Sequence, residues 1–438
     1  MVDTLKSHYE SMIASFHLCR AISILAHGDQ CSWERDNLGN EGACEAVVMA
    51  LQRHTDSEGV VRNAALALRS LSYNHSVNQH QICFAGGGLS LIQALQLHKA
   101  TAASSGIIEA IAWAVHNLSI DSAENKSIFG KAGACDALVA ALEVHGSKNV
   151  DVAHWICFAL YQLCSENVSN TSNLSFSVNA SDQLNNVMIK YSEHDNLVMI
   201  VCRIMLILCS DRVGQHKVGK AGACKQISIL FQRSEREAVP DCFIYIICQL
   251  ITRIADRNVE NKKKLSVAGI CSTLSSLVAR HVTGATQSPT YLSLPLSSDI
   301  AAFEQLTINT TIDKSVKKKS ILSSSADTLV STAGSMVGTH LMLPKIMVDS
   351  YSTASSRYCI TVEACKAICV LAQGNSANKK KFISFGVSDI MTSFIDGGHG
   401  YYDDGAGSNS TVLRNLIAET LQVITSPDSS DGVVEEED

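Results

Sequence analysis

The sequence has few prolines, few aromatic residues and no long apolar run. Its 438 residues include five prolines, 5% aromatic residues and 18% charged residues. Scarce proline and aromatic residues argue against a sandwich of short strands and favour a helical protein. No segment approaches the roughly 18 consecutive apolar residues of a membrane span, and the first ten residues lack the features of a secretory signal. We therefore expect no membrane span and a cytoplasmic or nuclear location.

The charge and the cysteine content of the chain further restrict the functions that the protein could have and the redox state of its thiols. The net charge is −7, and six acidic residues lie within the last eleven positions, so the rest of the chain is nearly neutral. A nearly neutral body argues against general affinity for nucleic acid. Most of the 16 cysteines lie inside apolar helical patterns, where a free thiol behaves as a small apolar group. We expect these thiols to be reduced.

One motif recurs along the chain, and its glycine sets the register. It reads NEGACEAVVMAL, KAGACDALVAAL, KAGACKQISILF and SVAGICSTLSSLV in four places. The indexing positions are spaced 43 to 47 residues apart and are Gly42, Gly86, Gly133, Asn179, Gly222 and Gly269. Later copies follow at Gly386 and, more weakly, Gly338. We expect these residues to adopt the left-handed backbone conformation between two helices, with Asn179 replacing glycine once.

The residues around each glycine predict three helices per repeat. An asparagine stands eight residues before the glycine at Asn78, Asn125, Asn261 and Asn378. Because asparagine is a preferred N-cap residue, we expect each to start a short first helix. Apolar residues spaced three and four apart predict a medium and a long helix after the glycine. One such unit of about 45 residues could not bury its apolar face alone, so the units are expected to stack.

Residues 112–119, AWAVHNLS, resemble the third helix of armadillo repeats, which ends Ala-x-Trp-Ala-Leu-x-Asn-Leu. Looser matches are AALALRSLS, ICFALYQLC, VCRIMLILC, IICQLITRIA and ACKAICVLA. The resemblance covers roughly residues 15–280 well and 335–426 moderately. It implies an all-α fold, a right-handed superhelical α-solenoid of about eight armadillo-like repeats. Third helices would line a concave groove that holds an extended peptide or a partner protein.

The repeat pattern divides the chain into four segments. We expect an armadillo-like array over residues 1–280 and a Ser/Thr-rich, partly disordered insertion over 281–335. Further armadillo-like repeats are expected over 336–426, followed by an acidic disordered tail over 427–438. The distance from Gly269 to Gly338 leaves room for one unit and about 24 further residues.

The resemblance places the partner-binding groove at the tryptophan of the motif and the asparagine four residues later. In importin-α-like adaptors, such tryptophans bracket basic side chains and such asparagines bind the peptide backbone. Here the pair is complete only as Trp113 and Asn117. The matching pairs are Leu66 and Ser70, Phe158 and Gln162, Arg203 and Ile207, Gln249 and Arg253, and Lys366 and Val370. The groove is thus expected to be amphipathic toward its N-terminal half and basic toward its C-terminal half.

This distribution favours a partner with apolar anchors followed by acidic residues. A position in the core remains the alternative for Trp113 and for Phe158. Lysines at 262–264 and 379–381 fall on first helices, where they form either a solvated face or a second site for an acidic partner.

Motifs of catalysis are lacking. There is no P-loop, HExxH, GxSxG or kinase motif, and no CxxC of a structural zinc site. We therefore predict a non-enzymatic protein-protein interaction scaffold or adaptor without catalytic residues, cofactor or metal. The alternatives are a nuclear-transport-type adaptor, or a regulatory subunit or fragment of a ubiquitin ligase or exchange factor. The oligomeric state stays open.

Overall fold

The computed structural model describes residues 1–28, 30–100, 104–282, 353–397 and 408–426. Within these ranges the chain forms 23 helices and no strand. Helices Val2–His8 and Met12–Leu25 come first, and seven units of three helices follow. The first helices of units 1 to 7 are Ser32–Asn40, Ser76–Phe84, Ala123–Lys131, Val168–Phe176, Arg212–Lys220, Val259–Val267 and Ser376–Ser384.

The second helices of units 1 to 7 are Ala43–Arg53, Gly87–His98, Ala134–His145, Ala180–Lys190, Ala223–Arg233, Ile270–Val282 and Val387–Gly397. The third helices are Glu58–Ser72, Ser105–Ser119, Val150–Cys164, Asp195–Leu208, Asp241–Ala255, Thr353–Ala372 and Ser408–Thr425. Second and third helices pack on their counterparts in the next unit throughout, and first helices do so at most junctions, so the chain is an all-α solenoid. Third helices of neighbouring units make the most extensive of these contacts.

The glycine register is confirmed, with one exception. The turn between first and second helix holds a residue with φ between 73° and 94° at Gly42, Gly86, Gly133, Gly222, Gly269 and Gly386. At Asn179 the prediction of a left-handed residue is wrong, because its φ is −117°. In that unit the first helix ends in the extended residue Ser177, whose ψ is 135°. The chain therefore makes this turn without any left-handed residue.

The prediction that the recurring asparagines are N-caps is wrong. The N-cap lies three residues earlier, at His75, Ser122, Asn258 and Asn375, and its side chain accepts a hydrogen bond from the asparagine's backbone N–H. The asparagine side chain instead joins neighbouring units. Asn261 Nδ2 donates to Ile254 O at 3.0 Å and to Gln215 O at 2.9 Å, both in unit 5. The recurrence thus reflects stacking between units.

In each run of lysines on the first helices, at 262–264 and 379–381, one lysine is buried and the other two are partly or fully exposed. Lys126, Lys262 and Lys379 are buried on the first helices. Their Nζ atoms donate to the carbonyl oxygens just after the third helix of the same unit, Ser165, Gln373 and Ser426, at 2.8, 2.8 and 3.1 Å. A cation is favourable at a helix C-terminus, where carbonyls lack helical partners. These three residues therefore close units 3, 6 and 7 and do not present charge to a partner.

Replacing Lys126 by methionine should lower the free energy of unfolding by about 1–3 kcal/mol, because the carbonyl of Ser165 loses a charged donor in a buried setting. The exposed Lys131 at the end of the same helix gives the matched control, Lys131→Met, which should change stability little. Guanidinium unfolding followed by circular dichroism measures both. Equal midpoints for the two variants would show that Lys126 is not a cap.

Unit 6 takes its third helix from a distant part of the chain. Helix Thr353–Ala372 packs on the third helix of unit 5 and on the second helix of unit 6. Lys262 Nζ also bonds to Gln373 O, as Lys126 bonds to Ser165 O in unit 3. Residues 283–352 therefore connect two helices of one unit that contact each other directly. The repeat expected at Gly338 lies outside the described residues.

Two predicted segments lie wholly or mostly outside the described residues: the insertion over 281–335, apart from its first two residues, and the tail over 427–438. In the described ranges no single helix is long and apolar enough to cross a membrane. One consecutive pair, Val259–Val267 and Ile270–Val282, passes that test only together and is bent by 75°.

Candidate partner-binding groove

The third helices bring the predicted site residues into one row. The ninth residue of the third helix in units 1 to 5 is, in order, Leu66, Trp113, Phe158, Arg203 and Gln249. Lys366 stands seven residues before Gln373, as Phe158 stands seven before Ser165. Because third helices lie side by side, these positions follow one another along the inner side of the stack.

Trp113 is partly buried, and both faces of its ring are covered. Its ring stacks on that of Trp155 with centroids 3.8 Å apart and planes at 10°. The guanidinium carbon of Arg69 lies 4.1 Å from the ring centroid, and so on the opposite face. Burial lowers the pKa of Arg69 to about 10, which leaves it charged at neutral pH. The expected bracketing of a partner's basic side chain by Trp113 is therefore not available in this arrangement.

Four predicted contact residues are buried beneath the groove. Asn117 is 3% exposed, and its Nδ2 donates to Arg69 O at 3.0 Å, tying unit 2 to unit 1. Its amide N–H is thus used inside the stack and not for a peptide. Phe158 is 1% exposed, so the core alternative is correct for it. Ser70 and Gln162 are buried as well. The cause is common: third helices contact a neighbouring unit on each side, which covers most of their surface.

The remaining predicted residues do reach the surface, and they are mostly basic. Leu66, Arg203 and Gln249 are partly buried, whereas Arg253 and Lys366 are exposed. Lys366 Nζ lies 2.8 Å from Glu363 Oε1. Gln249 Nε2 donates to Tyr245 Oη at 2.9 Å. Three of these five side chains are therefore basic, and one of the three, Lys366, is paired with a carboxylate.

Comparisons with known proteins bear on the fold. No protein-family model matches the sequence, and no curated protein matches it. Among solved structures, a designed armadillo repeat protein in complex with the peptide (KR)4 is 19% identical, with a TM-score of 0.46 over 58% of this chain and 97% of that one. A computationally designed armadillo repeat protein for modular peptide recognition is also 19% identical, with a TM-score of 0.48 over 57% and 97%.

The three-helix unit, its left-handed glycine and the stacked third helices give the chain an armadillo-repeat-like fold. An engineered protein aligned over 97% of this chain is 15% identical, with a TM-score of 0.48. Identities this low concern the fold alone.

Sequence reasoning missed groove residues one helical turn earlier. Arg62 lies four residues before Leu66, and Glu109 lies four residues before Trp113. Both reach the surface of their helices in this armadillo-like groove. Burial, reinforced by the charge of Asp151, raises the pKa of the Glu109 carboxyl, while neighbouring arginines oppose the shift. A spacing of four residues places side chains on one helix face, so extending each position by one turn would have found them.

Two histidines form an aromatic cluster beneath the groove. His116 and His154 are buried, and their rings lie 5.5 and 4.5 Å from the ring of Phe158. Burial lowers the pKa of His116 to about 4. The pKa of His154 falls to about 3, by burial and by the neighbouring histidines. Both are neutral at physiological pH. Within the described residues, no three His, Cys, Asp or Glu side chains meet as metal ligands would.

Proposed function

We propose that this protein is a non-enzymatic scaffold of the cytoplasm or nucleus that holds an extended segment of a partner protein in its armadillo-like groove. The C-terminal half of the groove would bind a segment that combines acidic residues with apolar anchors. Multisite docking of this kind gives many weak contacts, with most affinity in a few anchors.

The observation that carries this proposal is a pair of arginines without carboxylates. In the described part of the chain, neither Arg203 nor Arg253 lies within 4.0 Å of an Asp or Glu oxygen, although other basic residues do. The Arg203 Nε atom is buried and has no hydrogen-bond partner among the described residues. The partly buried Leu206 and Ile207 lie on the same helix as Arg203. A carboxylate of the partner would satisfy the arginines, and its apolar side chains would contact these residues.

The nuclear-transport alternative receives less support from this groove. A basic signal peptide would meet like charge at Arg203 and Arg253, and Trp113 offers no free ring face. A regulatory role beside a ubiquitin ligase or exchange factor is compatible with the proposed groove, since such a role needs only a docking surface. The partner's identity would decide between these roles.

The proposal is tested by reversing charge in the groove. The probe is a fluorescein-labelled peptide LEDLEE, compared with the neutral peptide LQNLQQ by fluorescence anisotropy. We expect Arg203→Glu with Arg253→Glu to weaken LEDLEE binding by at least about tenfold, because two attractive charges become repulsive.

The matched control is Lys263→Glu with Lys380→Glu, an equal change of charge on exposed first-helix positions that form no contact in the described structure. It should leave LEDLEE binding nearly unchanged at 0.15 M salt, since charges beyond about 8 Å are screened. Equal binding of LEDLEE and LQNLQQ by the unaltered protein would overturn the proposal, as would equal weakening by the groove and control variants.

A further inference from the structure

The second helices of neighbouring units are joined by a side-chain amide near the repeat glycine. Ten residues after the glycine stand Gln52, Gln96 and Gln232. Gln52 Nε2 donates to Ser90 Oγ at 3.1 Å, and Gln232 Nε2 donates to Ala268 O at 3.2 Å. Asn185 supplies an equivalent bond from unit 4 to unit 5, from its Nδ2 to Ala221 O at 2.8 Å. An N–H donor thus closes the outer side of these junctions.

The junction between units 3 and 4 has an acid in this position. Glu143 stands ten residues after Gly133, where units 1, 2 and 5 have Gln52, Gln96 and Gln232. An ionised carboxylate only accepts hydrogen bonds, so it cannot donate to the backbone carbonyls of the next turn. This is also the turn in which Asn179 replaces glycine. Two clefts of about 460 and 290 Å³ open here, and both are lined by Glu143.

The side chains around these clefts are apolar, acidic and amide-bearing. Phe176 and Val178 are 74% and 90% exposed, and the Nζ atom of Lys217 lies 5.6 Å from the centroid of the Phe176 ring. Asp136 and Glu143 are exposed on one face of helix Ala134–His145, and neither forms an ion pair within the described structure. The amides that complete the lining belong to Asn173, Asn179, Gln183 and Asn186. We call this surface the Glu143 seam.

We infer that the Glu143 seam docks an extended segment of a partner protein in which an apolar residue lies between two lysines or arginines. The carboxylates attract the basic residues, Phe176 and Val178 contact the apolar one, and amides suit an extended backbone. Asp136 and Glu143 are two helical turns apart, about 10 Å. Three residues of extended chain span about the same distance, so the basic residues should be three positions apart.

This inference is independent of the proposed groove. The Glu143 seam lies between second helices, on the side away from the third-helix row, and its charge is opposite to that of Arg203 and Arg253. Its acidic rim would repel the acidic segment proposed for the groove. The two surfaces therefore select partners of opposite charge, and one can fail without the other.

The experiment uses the substitution that restores the common pattern, Glu143→Gln, in the full chain. The probe is a fluorescein-labelled peptide GKLGKG, with GQLGQG as its neutral counterpart. We expect Glu143→Gln to weaken GKLGKG binding by about tenfold or more, because an attractive charge is lost and the new amide ties the seam shut. The same variant should have a higher Tm than the unaltered protein.

Two further variants separate the effect of the lost negative charge from the effect of the new hydrogen bond between units. Asp136→Asn removes one carboxylate without adding a hydrogen bond between units, so it should weaken GKLGKG binding severalfold and leave the Tm unchanged. Gln232→Glu, which removes the hydrogen bond to Ala268 O at the junction of units 5 and 6, should lower the Tm and leave GKLGKG binding unchanged. Equal binding of the two peptides by the unaltered protein would overturn the inference. So would unchanged GKLGKG binding in both Glu143→Gln and Asp136→Asn.

Discussion

Replacing Phe158 by alanine should lower the free energy of unfolding by about 3–5 kcal/mol, the usual cost of removing a large ring from a close-packed interior. The side chain is 1% exposed, and its ring contacts those of His154, His116 and Trp155 with centroids 4.5 to 5.9 Å away. These neighbours belong to units 2 and 3, so the cavity would loosen the junction between them.

The matched control is Phe84→Ala, since Phe84 is 86% exposed and its loss leaves no cavity. Guanidinium unfolding gives the overall effect of both variants. Because stability in stacked repeats is partly local, amide hydrogen exchange in helices Ser105–Ser119 and Val150–Cys164 should rise in Phe158→Ala alone. Unchanged amide hydrogen exchange in these helices, together with weaker binding of a groove ligand, would show that Phe158 belongs to the partner-binding surface and not to the core.

Acidification from pH 7.5 to pH 5 should cost about 2 kcal/mol of stability for each of His116 and His154. Their pKa values in the folded chain, about 4 and about 3, lie below the ordinary value of 6.5. The unfolded chain therefore binds protons that the folded chain excludes. Full stability is present above pH 6.5 and is lost as the pH falls from there toward the folded-state values.

The test compares the pH dependence of unfolding in the unaltered protein with that of His116→Leu combined with His154→Leu. The loss between pH 7.5 and 5 should shrink by about 4 kcal/mol in this variant, whatever its stability at pH 7.5. His80→Leu is the control, because the His80 side chain is 63% exposed. An equal loss in the double variant and in the control would mean that the two histidines are solvated in the folded chain.

Local patterns were sufficient to predict the helices and their repeat. The glycine register predicts six of the seven turns, because a left-handed residue just after a helix end is a local feature that glycine favours. The asparagines were interpreted by the same local rule, and wrongly. Asn261 is placed by carbonyls of Ile254 and Gln215, of which the second is 46 residues away. No rule about neighbouring residues can detect that partner.

The sequence is sufficient to predict which helices line the groove, but not which of their side chains are exposed there. The same position of the third helix is exposed in unit 6, where it is Lys366, and buried in unit 3, where it is Phe158. Neighbouring side chains decide how much of each helix is covered. Trp113 illustrates the same point. Its partners Arg69 and Trp155 lie 44 and 42 residues away in sequence and meet only when the units stack. The basic C-terminal half of the groove stays a prediction, which the charge-reversal experiment addresses.

The late arrival of helix Thr353–Ala372 has a consequence for biosynthesis. A ribosome that has just finished Ile270–Val282 must add 70 further residues before the helix that covers it begins to emerge. At translation rates of about 5–20 residues per second, this delay is roughly 4–14 s. During that interval the face of unit 6 that this helix covers lacks its partner, so we expect chaperone binding to matter most at this stage of synthesis.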